Sequence, residues 1–261
     1  MLRRPFILTV TIFAAGLWLS GTSTPSAQTI RLSDLPDTEA YRTCIAQTQQ
    51  NAEAGFEAAI AWRDEGGGPP ALHCVALALF GLGQMDEAAK RLEQLADGMP
   101  EASDPERASV LGQAGTIWLQ LRNLERAHEV LSKSIALDGR NPELWIDRGE
   151  AFARAGEYWD AIDDFSAALD RAPGHIDALI FRAAAYRLLD IDDLARDDID
   201  RVLDFAPNQP DALVELGALH AKNGAFDDAR AVWLQVLSIA PDSAAGRAAR
   251  AGLEQMDVKV E

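Results

Sequence analysis

The chain has 261 residues, 48% of them hydrophobic, 25% charged and 7% aromatic, a balance that excludes disordered, collagen-like and disulfide-dense chains. Its 41 acidic against 24 basic residues give a net charge of -17. That field repels phosphate backbones and anionic headgroups, which argues against nucleic acid and direct membrane binding. Residues 1–27 run from Arg3 and Arg4 through the apolar stretch 5–19 to the small and polar residues ending at Ala27. This is the layout of a secretory signal peptide cut after Ala27 or Ser26, and the apolar stretch is short for a membrane span. An uncleaved anchor is the alternative. Cleavage deletes two basic and no acidic residues, so the mature chain is more acidic still.

After a flexible linker over 28–36, residues 37–68 read as a degenerate helix pair carrying Ala54, Ala58 and Ala61. From there a period governs the sequence. Alanines stand at 54, 88, 127, 161, 195 and 229, prolines at 173, 207 and 241, and small residues at Ala76, Gly115, Gly149, Ala183 and Gly217. All three columns recur every 34 residues, with one spacing of 39. In the clearest unit a helix is expected over about 143–155, a turn at Gly156-Glu157, and a second helix over about 158–172, stopped by Pro173-Gly174. The extra residues before the second full unit, Ser103-Asp104-Pro105-Glu106, form a helix start and predict about one added turn. Residues 244–261 read as a closing helix to about Met256, capped by Asp242, and a tail, with Leu253 and Met256 turned inward and Arg247 and Arg250 outward.

The unit Trp145-x-x-Arg148-Gly149-x-x-Phe152, Ala161-x3-Phe165, Pro173 resembles the tetratricopeptide repeat, with Arg148 where leucine is usual. The unit Leu213-x-x-Leu216-Gly217-x-x-His220, Ala229-x3-Trp233, Pro241 is similar, and the one between them has Asp190 in place of the turn glycine. Five such units are expected, over 69–102, 108–141, 142–175, 176–209 and 210–243. The resemblance implies an all-α, right-handed superhelical solenoid whose first helices line a concave, partner-binding groove. It also sets Cys44 and Cys74 on the first helices of successive pairs, where a disulfide would fit; two small buried residues is the other reading.

No catalytic constellation stands out: there is no nucleophile elbow, phosphate-cradling glycine loop or zinc-protease helix. No metal or cofactor is expected, since His73 beside Cys74 lacks a second ligand pair, and the aspartate clusters at 163–164, 190–193, 197–198 and 227–228 lack calcium-loop spacing. These aspartates read as a solvated acidic face. By the resemblance the groove would include His73, Gln120, Glu150, Arg154, Arg187 and Lys222. Arg154, Arg187 and Lys222 form a candidate basic strip for a partner's carboxylate, unless they pair with neighbouring acids such as Glu150. Trp159 is a candidate exposed anchor, or a cover for the junction with the preceding unit. The expected function is a non-catalytic adaptor in a bacterial periplasm, holding a protein or peptide partner. A self-associating structural component and a regulatory subunit of an envelope enzyme are the alternatives.

Overall fold

A computed structural model describes residues 38–260; the leader and the linker lie outside them. Thirteen helices follow one another among the described residues: α1 Glu39–Gln50, α2 Ala52–Asp64, α3 Gly68–Gly81, α4 Met85–Asp97, α5 Asp104–Gln120, α6 Leu124–Leu137, α7 Pro142–Ala155, α8 Tyr158–Arg171, α9 Ile176–Leu188, α10 Asp192–Phe205, α11 Pro210–Lys222, α12 Phe226–Ile239 and α13 Ala244–Val260. None of them is long and apolar enough to cross a membrane.

Local chemistry sets the boundaries. The second helix of each unit begins just after a left-handed residue, supplied by Gly83, Gly156 and Gly224 at φ 76°, 83° and 76°. Asp190 and Arg122 fill the same place at φ 61° and 60°, a conformation unusual for side chains other than glycine. Proline stands in the first turn of α3, α5, α7 and α11, where its missing N–H is not needed. The insertion at 103 yields a capping box: Ser103 accepts from the Glu106 N–H, and the Glu106 carboxylate accepts from the Ser103 N–H at 2.6 Å. As a result α5 has 17 residues against 14 in α3, about one turn more. The closing helix is capped by Ser243 rather than Asp242, because the Ser243 hydroxyl is the group that reaches the Gly246 N–H, at 3.0 Å.

Each helix packs on its chain neighbours, and successive odd-numbered helices also touch: α1 with α3, α5 with α7, α7 with α9, α9 with α11, and α11 with α13. Even-numbered helices have no comparable contacts with one another, so the odd-numbered set is the tighter, inner layer of a curved array and lines its concave side. The small-residue column explains the close pairing within a unit. A Cβ on Gly149 would lie 2.6 Å from Phe165 Cε1, and one on Gly217 would lie within 2.6 Å of Trp233 Cδ1. The ring sixteen residues later fills the space that glycine leaves. Apolar clusters overlap along the chain, one running from Tyr41 to Ala151, the next from Ile146 to Ala212 and a third from Leu213 to Met256. The core is therefore continuous rather than divided into domains.

Two aspartates expected on a solvated face are instead buried, Asp164 and Asp198, each 3% exposed. The Arg148 guanidinium grips both Asp164 oxygens at 2.7 and 2.8 Å and donates to Ser132 Oγ at 3.1 Å. One repeat later, Arg182 does the same with Asp198, at 2.8 Å to both oxygens, and with Ser166 at 2.9 Å. Each arginine thus ties together three successive helices, with fork geometry matched to a carboxylate. Burial and hydrogen bonding oppose each other here. Burial pushes the Asp164 carboxyl up and Arg148 partly offsets it, whereas Asp198 draws the Arg182 guanidinium further up.

Candidate functional site: the concave face

The inner helices repeat their groove-facing positions every 34 residues. One row is Glu143, Asp177 and Asp211, and another is Gln113, Asp147, Phe181 and Glu215. Three members of the expected strip are basic residues already neutralised within the array. Arg154 pairs with Glu150 and donates to the Leu119 carbonyl at 2.9 Å. Arg187 Nε meets Glu215 at 2.9 Å, and Lys222 meets Asp190 at 2.8 Å and Asp192. The free basic strip is therefore corrected: these cations brace one unit against the next. Gln120 is exposed at the end of α5.

What remains in excess is acid. Thr116 Oγ1 on α5 donates to Asp147 on α7 at 2.9 Å, and Glu143 accepts from or pairs with His175 Nε2 at 2.9 Å. Burial pushes the partly exposed Asp147 carboxyl up to about 7; the Thr116 hydrogen bond and Arg154 oppose the shift, while Glu150 and Glu143 add to it. Asp211 is raised as well, by burial first and then by Asp177 and Glu215. At these groove positions the carboxyl residues Glu143, Asp147, Glu150, Asp177, Asp211 and Glu215 outnumber Arg154 and Arg187.

His73 is corrected too. Expected in the groove, it is wholly buried because Tyr41 of α1 lies over it, the Tyr41 hydroxyl 2.7 Å from Nδ1. Its Nε2 is 2.8 Å from Gln113 Oε1 on α5. Burial lowers the imidazole to about 4, so it is neutral at ordinary pH, and burial also pushes the Tyr41 phenol up. Cys44 and Cys74 are joined as a disulfide between α1 and α3, with Cα atoms 6.4 Å apart. Among the described residues no group of three or more His, Cys, Asp or Glu side chains could hold a metal ion. Trp159 is 60% exposed at the start of α8 and does not cover the preceding junction.

Sequence reasoning missed Tyr41, Gln113, Asp147, Arg182 and Asp198. The last two had a signal: Arg148 and Arg182, like Asp164 and Asp198, are 34 residues apart.

Comparison with known proteins matches the tetratricopeptide repeat family to residues 113–176. No curated protein matches the sequence. Among solved structures, pilF of Pseudomonas aeruginosa aligns with TM-score 0.63 and 15% identity, over 81% of this chain and 95% of its own. The tetratricopeptide protein TTC0263 of Thermus thermophilus aligns with TM-score 0.57 and 20% identity, over 71% and 98%. MamA of Desulfovibrio magneticus aligns with TM-score 0.55 and 17% identity, over 66% and 98%. At these identities the likeness is one of fold. With the repeat match over 113–176 and the in-phase helix pairs, it makes this chain an all-α solenoid with the fold of tetratricopeptide repeat proteins.

Proposed function

We propose that the chain is a non-catalytic interaction scaffold of a bacterial cell envelope that holds a lysine- or arginine-bearing segment of a partner protein in its concave groove. The observation that carries this reading is the internal neutralisation of Arg154, Arg187 and Lys222 beside the row Glu143, Asp177 and Asp211. Such a face favours cationic partners and repels acidic ones, the reverse of a carboxylate-binding strip. The leader pattern and the Cys44–Cys74 bridge support an exported protein, since disulfides persist in oxidising compartments.

Calorimetric titration with a lysine-rich and a glutamate-rich peptide of equal length tests the groove. The lysine peptide binds, and the triple change Asp147→Asn, Asp177→Asn, Asp211→Asn weakens it at least tenfold. Equal binding of both peptides, or no loss in the variant, overturns the reading. Cell fractionation with mass measurement of the mature chain tests the location; an unprocessed cytoplasmic chain refutes it.

A further inference from the structure

Exposed large apolar side chains recur at one edge of the array. Leu82 caps the end of α3, Leu121 caps the end of α5, Trp159 and Leu194 stand in the first turns of α8 and α10, and Phe226 opens α12. Each belongs to a different repeat, and all lie at the turn between its first and second helix. The turns are neighbours in space. Lys222 at the end of α11 bonds to Asp190 and Asp192 in the preceding turn, and Arg154 at the end of α7 donates to Leu119 near the end of α5. The same edge carries acid in the first turn of every second helix: Asp86 and Glu87, paired with Lys90 and Arg91; Glu125; Asp160; Asp192, paired with Lys222; and Asp193, Asp227 and Asp228.

An apolar side chain beside a carboxylate, once per repeat, is a pattern with a definite complement. We propose that this turn edge is a second binding surface, separate from the groove, that takes a cationic amphipathic helix of a partner. The apolar residues would seat its apolar stripe, with Trp159 as the central anchor, and the carboxylates would meet its lysines or arginines. Charge decides among occupants. A second copy would bring an identical acidic edge on a chain of net charge -17, and an anionic lipid surface would be repelled for the same reason. A helix of about 18 residues is about 27 Å long, the span of about three units at 8–10 Å between neighbouring helices.

The probe is an amphipathic leucine–lysine peptide of that length, compared with a leucine–glutamate peptide and with phosphatidylglycerol vesicles. The leucine–lysine peptide binds, the other two do not, and the protein sediments as a monomer across concentration. In the Asp147→Asn, Asp177→Asn, Asp211→Asn background, which removes the groove as a second site for a lysine peptide, the further change Leu121→Ser, Trp159→Ser, Leu194→Ser weakens peptide binding at least tenfold. Hydrogen exchange on the groove variant, whose turn edge is unchanged, gives a reading independent of the edge variant's folding: the peptide protects amides at 119–125, 155–161 and 189–195. Full binding after the turn-edge change, no protection of those turns in the groove variant, vesicle binding, or self-association that the turn-edge changes dissolve would each overturn the proposal. Because groove and edge are read by different variants and footprints, either assignment can fail alone.

Discussion

Arg148 occupies a column where Leu216 stands two units later, and Asp164 likewise corresponds to Val232. The same packing site is therefore built twice from a buried ion pair, Arg148–Asp164 and Arg182–Asp198, and once from hydrocarbon. Removing one partner leaves an uncompensated buried charge, and Asp164→Ala is expected to cost about 3–5 kcal/mol in urea denaturation. Arg148→Leu combined with Asp164→Val is expected to recover most of that loss, since an apolar pair of matching shape has no desolvation to offset. An additive double variant would refute the equivalence. Asp147 gives a pH test with a definite sign. Its folded value near 7 lies above the ordinary carboxylate value near 4, so the native state binds more protons between them. Stability tied to Asp147 is full below about pH 4 and falls as pH rises towards 7. Asp147→Asn should then raise stability by about 1–2 kcal/mol at pH 8 and change it little at pH 4, checked by thermal melting at both values. The asparagine Oδ1 still accepts from Thr116, so the hydrogen bond across α5 and α7 is kept.

Among elements, α1 stands apart because so little of it is buried. Tyr41 and Cys44 are its two buried residues, one bonded to His73 and the other to Cys74. It approaches α2 closely where Thr48 crosses Gly55. Closing a loop of 30 residues stabilises by about 3 kcal/mol in the chain-entropy model, while ordering twelve helical residues costs more than two buried side chains return. Asn51 accepts from the Glu53 and Ala54 N–H groups and so caps α2 without help from α1. Reduction with a dithiol is thus expected to release amides 39–50 to exchange at least tenfold faster while α2 onwards keeps its protection. Equal protection of α1 in both redox states would contradict this. The helices themselves were legible in the sequence because three columns shared one period and each unit carried its own stop. The direction of individual side chains was not. His73 sits at a groove position by register, yet Tyr41 from a degenerate pair with no clear repeat signature covers it. The pairing of Arg154, Arg187 and Lys222 likewise depends on acids 28 to 32 residues away or four residues back, and composition alone leaves their partners open.

At the scale of the whole molecule, the substantial contacts among the described residues join helices adjacent in the chain or one apart. Such an array behaves as a row of coupled units, with stability set by each unit and its interfaces to the next. The ends differ in kind: α1 is held by a covalent bridge, and α13 is held by Ala245, Ala249 and Met256 against Trp233 and Val236. The middle differs as well, since α6 to α10 are threaded by the two Ser–Arg–Asp networks. Local opening should therefore start at the C-terminal end, where one neighbour suffices to break contact, and reach α7 to α9 last. Deleting 244–261 would bare Trp233, which now packs against Gly252, and should lower the unfolding free energy by about 2–4 kcal/mol on burial grounds. In native-state exchange the loss of protection would be graded, largest in α11 and α12 and absent in α1 to α4. A uniform loss along the chain would mean that the array unfolds as one cooperative block, and that the overlap of its apolar clusters outweighs the independence of its units.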